Sequence, residues 1–181
     1  MSNLIAFVGM CGAGKSVATE AFIDAGYSLV YFGGVTMDEL KRLGLEKNEA
    51  NERMVREGLR RDLGPAAFAI KTLPKIEAGL ENGNVVIDGL YSWSEYKVLK
   101  ERFPNMLVVA VLTDREKRYS RLSVREVRPL TAEQAQSRDY AEIENSEKGG
   151  PIAIADRYLT NNTTADEFKE KVAALIKELD K

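Results

Sequence analysis

The sequence predicts an α/β fold of three layers, in which helices cover both faces of a parallel sheet of about five strands. One observation behind this prediction is that short apolar runs alternate with helical stretches along all 181 residues. Another is that the first run, Leu4–Val8, is apolar throughout, as expected for a strand that is buried on both faces. The length fits one domain of ordinary size, so residues 1–181 are predicted to form a single domain.

Each element has a local signal in the sequence. The predicted strands after the first are Tyr27–Phe32, Val85–Asp88, Leu107–Leu112 and Tyr158–Thr160. The helix Lys15–Ala25 is predicted to end at Gly26. Other helix starts are marked by capping-box spacing, in which two side chains satisfy unpaired amides: Thr36/Glu39, Ser92/Glu95, Thr131/Gln134 and Thr164/Glu167. Pro74 lies inside a helical stretch and is predicted to kink or split it near Leu73.

The composition excludes several classes of protein. With 44% hydrophobic and 30% charged residues, the chain has material for a core and is too apolar for disorder. A net charge of −2 without a basic tail argues against a nucleic-acid partner. The first apolar run is too short for a signal or membrane segment, and a single cysteine suits a reducing compartment. We therefore expect a cytoplasmic protein without a membrane partner, either a monomer or a homodimer.

A glycine-rich loop directly after the first strand carries the strongest functional signal. Gly9-Met10-Cys11-Gly12-Ala13-Gly14-Lys15-Ser16 matches the P-loop pattern G-x-x-x-x-G-K-[ST] between a strand and a helix. Such a loop wraps phosphates with backbone amides, its lysine neutralises the β- and γ-phosphates, and its hydroxyl binds Mg²⁺. A chance glycine loop is the alternative, and Cys11 is either small-residue filler or a redox group. We predict that ATP is bound by Gly9, Met10, Cys11, Gly12, Ala13, Gly14, Lys15, Ser16 and Val17.

Asp88 is the second candidate for the catalytic centre. It ends the apolar run Val85–Asp88, and the carboxyl ends of parallel strands face the ligand-binding crevice of such folds. We predict that Asp88 and Ser16 serve Mg²⁺ and that Asp88 orients the acceptor hydroxyl. A structural turn residue is the alternative interpretation of Asp88.

Four arginines follow the fourth predicted strand. On a helix, Arg118, Arg121 and Arg125 would share one face, and Arg128 precedes a proline. Kinases with a P-loop carry a mobile lid at this place, and a lid arginine can stabilise charge in the transition state. We therefore predict a small helical lid over about residues 115–148 that supplies these arginines for catalysis. A solvated charged face is the alternative.

With these motifs placed, nearly the whole chain resembles the P-loop nucleoside monophosphate kinase superfamily. It is most similar to the dephospho-CoA kinase-like branch and to an archaeal group of adenylate-kinase-related proteins. The likeness rests on the P-loop and on the order of weaker segments, which are Phe32–Val35, Leu40–Leu45, Arg56–Gly64, Val86–Gly89 and Ala155–Asn162. The resemblance implies ATP as donor, with Asn161 and Asn162 near its adenine, although a plain turn explains these two residues equally well.

The resemblance also implies an acceptor site after strands two and three, where this chain departs from its relatives. Gly34 replaces an acid, and Met37 and Tyr91 replace arginines that could grip an acceptor phosphate. Four arginines on a helix expected over this pocket could restore the charge: Arg53, Arg56, Arg60 and Arg61. We predict an ATP-dependent phosphotransferase that acts on a small nucleotide-like acceptor. The alternatives are a catalytically altered ATP-binding regulatory module and a small-metabolite kinase.

Overall fold

The computed structural model describes residues 2–126 and 129–179. Its single sheet has five parallel strands in the spatial order β2-β3-β1-β4-β5. The strands are β1 (Leu4–Val8), β2 (Ser28–Tyr31), β3 (Val85–Asp88), β4 (Leu107–Leu112) and β5 (Arg157–Thr160). The predicted parallel sheet is confirmed, including its short last strand.

Helices fill the connections between the strands. They are α1 (Lys15–Asp24), α2 (Gly34–Leu43), α3 (Glu49–Leu63), α4 (Ala67–Asn82), α5 (Trp93–Arg102), α6 (Arg115–Val124), α7 (Ala132–Glu144), α8 (Gly149–Ala153) and α9 (Ala165–Leu179). Within the two described ranges, no helix combines the length and the apolar character needed to cross a membrane.

The two faces of the sheet belong to two separate hydrophobic cores. On one face Ala6 packs in a cluster with Phe68 of α4, to which α2, α3 and α5 also contribute. On the other face Phe7 packs with Phe22 of α1 and Phe168 of α9. Because successive side chains of a strand point to opposite faces, the uniformly apolar β1 feeds both cores. The three predicted layers are therefore confirmed.

The strand order places an acid beside the glycine loop. β3 lies between β1 and β2 in space, although three helices separate it from β2 in the chain. Its register pairs Asp88 with Phe7 of β1 and with Tyr31 of β2. The carboxyl ends of parallel strands lie at the same edge of the sheet, so Asp88 stands next to the point where β1 enters the loop.

Three of the four predicted capping boxes are confirmed. Ser92 and Thr131 cap α5 and α7, with reciprocal hydrogen bonds to the Glu or Gln three residues later. At α9 the Glu167 amide donates to Thr164 Oγ1 at 3.3 Å, and the Thr164 amide donates back to Glu167 Oε2 at 3.0 Å. Local sequence alone therefore positions these helix starts.

One local prediction was wrong. Thr36 does not cap α2, because that helix begins at Gly34 and Thr36 is buried within its first turn. Pro74 is predicted to kink or split its helix; the split does not occur, because α4 continues from Ala67 to Asn82, and the kink stays a prediction. A proline inside a helix removes one hydrogen bond, but Phe68 and Ile76 on either side of it are buried in the same core. Core packing therefore keeps the two halves in one helix.

A buried ion pair joins α6 to α7. Arg118 Nη1 donates to Asp139 Oδ1 at 2.9 Å, and its Nη2 donates to Oδ2 at 2.6 Å. The two side chains are only 7% and 8% exposed. Bidentate geometry of this kind is the strong form of an arginine–carboxylate contact, and it ties the two helices of the predicted lid together.

Removing the carboxylate of this pair should destabilise the whole protein. We expect Asp139→Asn to lower the free energy of unfolding by about 3–5 kcal/mol, because it leaves a buried guanidinium without its counter-charge. Urea denaturation followed by circular dichroism measures the loss. The control is Glu39→Gln, which breaks a pair with the largely exposed Arg42 and should change stability very little. If both substitutions lowered the free energy of unfolding equally, the stabilising role of the buried Arg118–Asp139 pair would be contradicted.

Candidate active site

The glycine loop is pressed against the strand ends behind it. Gly9 and Gly14 have φ angles of 146° and 100°, which side chains rarely adopt. A Cβ atom on Gly14 would lie 2.2 Å from Asn161 Nδ2, and one on Gly9 would lie 2.5 Å from the carbonyl oxygen of Val111. Glycine is therefore required at both ends of the loop by contacts that only the folded sheet creates.

Side chains behind the loop hold its carbonyl groups. Arg118 Nη1 donates to the Cys11 carbonyl at 3.0 Å, and Asn161 Nδ2 donates to the Ala13 carbonyl at 2.8 Å. Thr113 Oγ1 also donates to the Ala13 carbonyl, at 3.0 Å. Because the C=O and N–H of a trans peptide point in opposite directions, these bonds turn the following amides toward the open side. A row of such amides is an anion-binding nest.

Lys15 bridges this nest. Its Nζ donates to the carbonyl oxygens of Gly9 and Met10 at 2.8 and 3.1 Å. Burial and, to a smaller extent, the positive charge of Lys148 together lower the pKa of Lys15 to about 8. A nearby phosphate stabilises the charged form of such a buried ammonium more than it stabilises an ammonium that is already solvated by water.

Ser16 and Asp88 line one cavity with Lys15. The cavity has a volume of about 360 Å³ and is lined by Gly12, Gly14, Lys15, Ser16, Asp88, Arg121, Leu122 and Arg125. Burial raises the pKa of Asp88, while the charge of Lys15 acts in the opposite direction. One hydroxyl and one carboxylate suit Mg²⁺, which takes few protein oxygens and completes its shell with phosphate and water.

The predicted lid arginines fall into different environments. Arg121 of α6 and Arg125 line the cavity of the P-loop. Arg121 Nη2 donates to the Asn161 carbonyl at 3.0 Å, whereas its Nη1 is buried without a hydrogen-bond partner among the residues described. Arg125 lies just beyond the last residue of α6, so the expected single helical face does not include it. Arg118 packs behind the loop, and Arg128 lies outside the described residues.

Asn161 and Asn162 hold the loop and the start of α6. Besides its bond to Ala13, Asn161 accepts a hydrogen bond from Arg121 on its side-chain oxygen at 3.3 Å. Asn162 Oδ1 accepts from the Asp114 amide at 2.9 Å, and its Nδ2 donates to the Asp114 carboxylate at 2.8 Å. Both side chains are therefore engaged in contacts within the protein, and their contact with adenine stays a prediction.

A second cavity of about 210 Å³ lies near the carboxyl ends of β2 and β3. It is lined by Tyr31, Phe32, Gly33, Thr36, Met37, Glu52, Arg56, Arg60, Phe68, Tyr91 and Glu95. Four residues predicted for the acceptor site therefore meet here, namely Met37, Arg56, Arg60 and Tyr91. Gly34 instead opens α2, and the exposed side chain of Arg53 pairs with Glu57.

The charges of this cavity are partly paired. Arg56 Nη1 lies 3.3 Å from Glu52 Oε2, and Glu52 is buried. The guanidinium of Arg60 lies 5.1 Å above the ring of Phe68. Burial raises the pKa of Glu95. The hydrogen bonds that its carboxylate accepts from the amides of Tyr91 and Ser92 act in the opposite direction and lower it.

Sequence reasoning missed a charged cluster from the end of the predicted lid. Glu142 contacts the glycine loop and Lys148, and Arg138 pairs with Glu142 at 3.2 Å. The only local signal is the i, i+4 spacing of Arg138 and Glu142, which is also typical of a solvated helix face. Nothing in the sequence around Lys148 indicates that its side chain is buried.

The fold and this site define a P-loop protein with a kinase-like architecture. Comparison with solved structures agrees. A shikimate kinase from Bacteroides thetaiotaomicron superposes with a TM-score of 0.61 at 12% identity, covering 98% of this chain and 99% of that one. A gluconokinase from Sinorhizobium meliloti gives 0.59 at 14% identity, covering 98% and 93%. At such low identity these likenesses concern the fold alone.

Sequence comparisons assign the family. A protein-family model described as an AAA domain matches residues 5–149. A UPF0200 protein of Thermococcus kodakarensis is 34% identical over 181 aligned residues, covering 97% of each chain. The chain therefore belongs to the UPF0200 proteins within this P-loop class, and the predicted superfamily resemblance is confirmed.

The lowered pKa of Lys15 generates a prediction for the pH dependence of binding. Only the protonated ammonium attracts phosphate, so binding above the pKa of about 8 requires proton uptake. The affinity for ATP, measured by isothermal titration calorimetry, should change little below that pH. Above it, affinity should fall by up to about tenfold for each pH unit.

The control for this experiment is Lys15→Arg, because a guanidinium keeps its charge over the whole range. Its profile should stay level above pH 8, whatever its absolute affinity. The same slope in both proteins would assign the titration to another group.

Asn161 offers a second test, since it holds the loop through a buried hydrogen bond. Asn161→Ala should weaken the binding of ATP, GTP and tripolyphosphate to a similar degree, by about tenfold. Competition titrations with the three ligands measure this. A loss confined to ATP would instead favour the predicted contact with adenine.

Proposed function

We propose that this protein is an ATP-dependent phosphotransferase that acts on a small nucleotide-like acceptor. One observation carries the proposal: the short segment from Asp88 to Tyr91 contributes to the lining of two cavities. Asp88 lines the cavity of the P-loop, and Tyr91 lines the second cavity. Three residue steps span at most about 11 Å, which suits a phosphoryl group passing from one cavity to the other.

In this proposal the donor occupies the P-loop side. The loop amides and Lys15 hold the triphosphate, and Arg121 and Arg125 face it from the lid. Ser16 and Asp88 would hold Mg²⁺, which supplies neutralisation of phosphate charge when bound. The lid over about residues 115–148 is proposed to exclude water from the donor. We assign Arg118 a positioning role, because its guanidinium already binds Asp139 and the loop.

The transfer itself is a displacement at the γ-phosphorus. An acceptor hydroxyl forms the new P–O bond, the bond to the bridging β–γ oxygen breaks, and ADP leaves. Asp88 orients the hydroxyl and accepts its proton as the new bond forms. Positioning and charge stabilisation provide most of the catalysis.

The acceptor is proposed to carry an anionic group. Arg60 lies in the acceptor cavity and covers Phe68, while the opposing charge of Glu52 is paired with Arg56. Arg60 is therefore positioned to replace the cation that is absent at Met37 and Tyr91.

A small hydroxylated metabolite is the second candidate acceptor. The buried carboxylate of Glu52 in the cavity favours it, because carboxylates accept hydrogen bonds from hydroxyl groups.

A screen for ADP release in a coupled assay separates these candidates. The panel holds nucleoside monophosphates, nucleosides, dephospho-CoA and polyhydroxylated acids, each with Mg²⁺ and ATP. We expect one class to stimulate ADP release, and Asp88→Asn to abolish that stimulation while ATP still binds. Tight ATP binding with no turnover on any acceptor would overturn the phosphotransferase and leave the regulatory module.

The role of Arg60 has its own prediction. Arg60→Met should raise KM for an anionic acceptor by roughly 10- to 100-fold, because one charge-assisted hydrogen bond is lost. Its KM for ATP should stay unchanged. The matched control is Arg61→Met in the same helix, since Arg61 is exposed and pairs with Asp62. Steady-state kinetics that show equal losses for both variants would remove Arg60 from the acceptor site.

A further inference from the structure

A carboxylate from α7 rests on the glycine loop. Glu142 Oε2 accepts a hydrogen bond from the Cys11 amide at 3.3 Å and from Lys148 Nζ at 2.7 Å. Its other oxygen accepts from Arg138 Nε at 3.2 Å. Burial raises the pKa of Glu142, but the charges and hydrogen bonds of Lys148 and Arg138 outweigh it, so the pKa is lowered overall. An ionised side chain of the protein therefore accepts from the amide of Cys11, one of the loop residues predicted to bind the triphosphate.

Lys148 is the buried partner of this carboxylate. Its side chain is only 3% exposed, and its Nζ lies 5.0 Å from the centre of the Tyr91 ring. Tyr91 lines the acceptor cavity, while the positive charge of Lys148 is felt by Lys15 in the loop. The ammonium of Lys148 thus lies between the P-loop and the acceptor cavity.

The backbone around Lys148 is held in place. The Lys148 amide donates to the Glu142 carbonyl at 3.2 Å, and the Trp93 amide donates to the Ser146 carbonyl at 3.3 Å. A Cβ atom on Gly150 would lie 2.9 Å from the Trp93 ring, so the chain packs closely against α5 there. The lysine is therefore presented from a fixed position.

Electrostatics relate these contacts to the nucleotide. A buried ammonium is costly unless an anion pairs with it, and Glu142 is that anion for Lys148. A phosphate that arrives at the loop competes for the same Cys11 amide and the same ammonium. Two adjacent anions repel each other, so the phosphate and the Glu142 carboxylate cannot both use this position.

We propose that Lys148 binds the terminal phosphoryl group of the triphosphate on the side that faces the acceptor, and that Glu142 holds this place when the triphosphate is absent. The inference rests on the proposed function and deepens it. It adds a second lysine to the donor site, next to Lys15, where both lysines can balance the charge of the group that is transferred. It also assigns Glu142 a role in competition with the nucleotide.

The comparison of triphosphate with diphosphate tests this role. In calorimetric titrations with Mg²⁺, Lys148→Met should weaken ATP binding by about 10- to 100-fold, whereas ADP binding should change less than about threefold. Lys148→Arg should recover most of the ATP affinity, because it restores the charge. The affinities for tripolyphosphate and pyrophosphate should show the same pattern, although neither ligand carries a nucleoside.

Glu142→Gln should change ATP affinity in the opposite direction to Lys148→Met. We expect it to tighten ATP binding by several-fold, since the competing anion is removed, and a purely structural ion pair would not produce a gain. The double variant Glu142→Gln with Lys148→Met removes both charges and tests folding separately. Lys100→Met is the matched control, because Lys100 pairs with Asp156 away from the loop and should leave the ratio of ATP to ADP affinity unchanged.

The outcomes are distinct. A wild-type protein that binds no triphosphate overturns the proposed function and this inference together. A wild-type protein that binds ATP, with an unchanged ATP-to-ADP ratio in Lys148→Met and no gain in Glu142→Gln, overturns the inference alone.

Discussion

The tight glycine loop between β1 and α1 is the constraint on which the rest of this structure depends. A loop can surround phosphate with amides only if its carbonyl groups are satisfied elsewhere. Here Asn161 and Arg118 bind the carbonyls of Ala13 and Cys11 from behind. Arg118 belongs to α6, which follows β4, and Asn161 directly follows β5. The strands, the lid helices and the last connection therefore converge on one short stretch of backbone.

This arrangement gives the predicted lid two kinds of residue. Arg118 and Asp139 form a buried pair that joins α6 and α7 to the loop. Breaking this pair would leave a buried charge without its partner. Arg121 and Arg125 line the cavity of the P-loop instead. Arg118 therefore holds α6 to the loop, while Arg121 and Arg125 contribute to the cavity in front of it.

The acceptor side illustrates why a shared fold does not define a substrate. The sheet edge places a cavity beside Asp88, where the kinase-like architecture predicts an acceptor. Its lining combines Met37 and Tyr91 with three charged side chains of α3, which are Glu52, Arg56 and Arg60. The surroundings of Tyr91 also include Lys148, whose Nζ lies 5.0 Å from the centre of the ring.

Elements with local signals can be predicted from the order of residues alone. The P-loop, β1, the caps at Ser92, Thr131 and Thr164, and the acid at the end of β3 all depend on neighbouring residues. The tertiary structure decided the rest. Pro74 stays within one helix because the core holds both halves, and Arg118 turns inward because Asp139, 21 residues away, supplies its counter-charge. Glu142 and Lys148 meet the loop only after α7 has docked. Contacts between distant residues depend on how the elements pack, and local sequence carries no record of that packing.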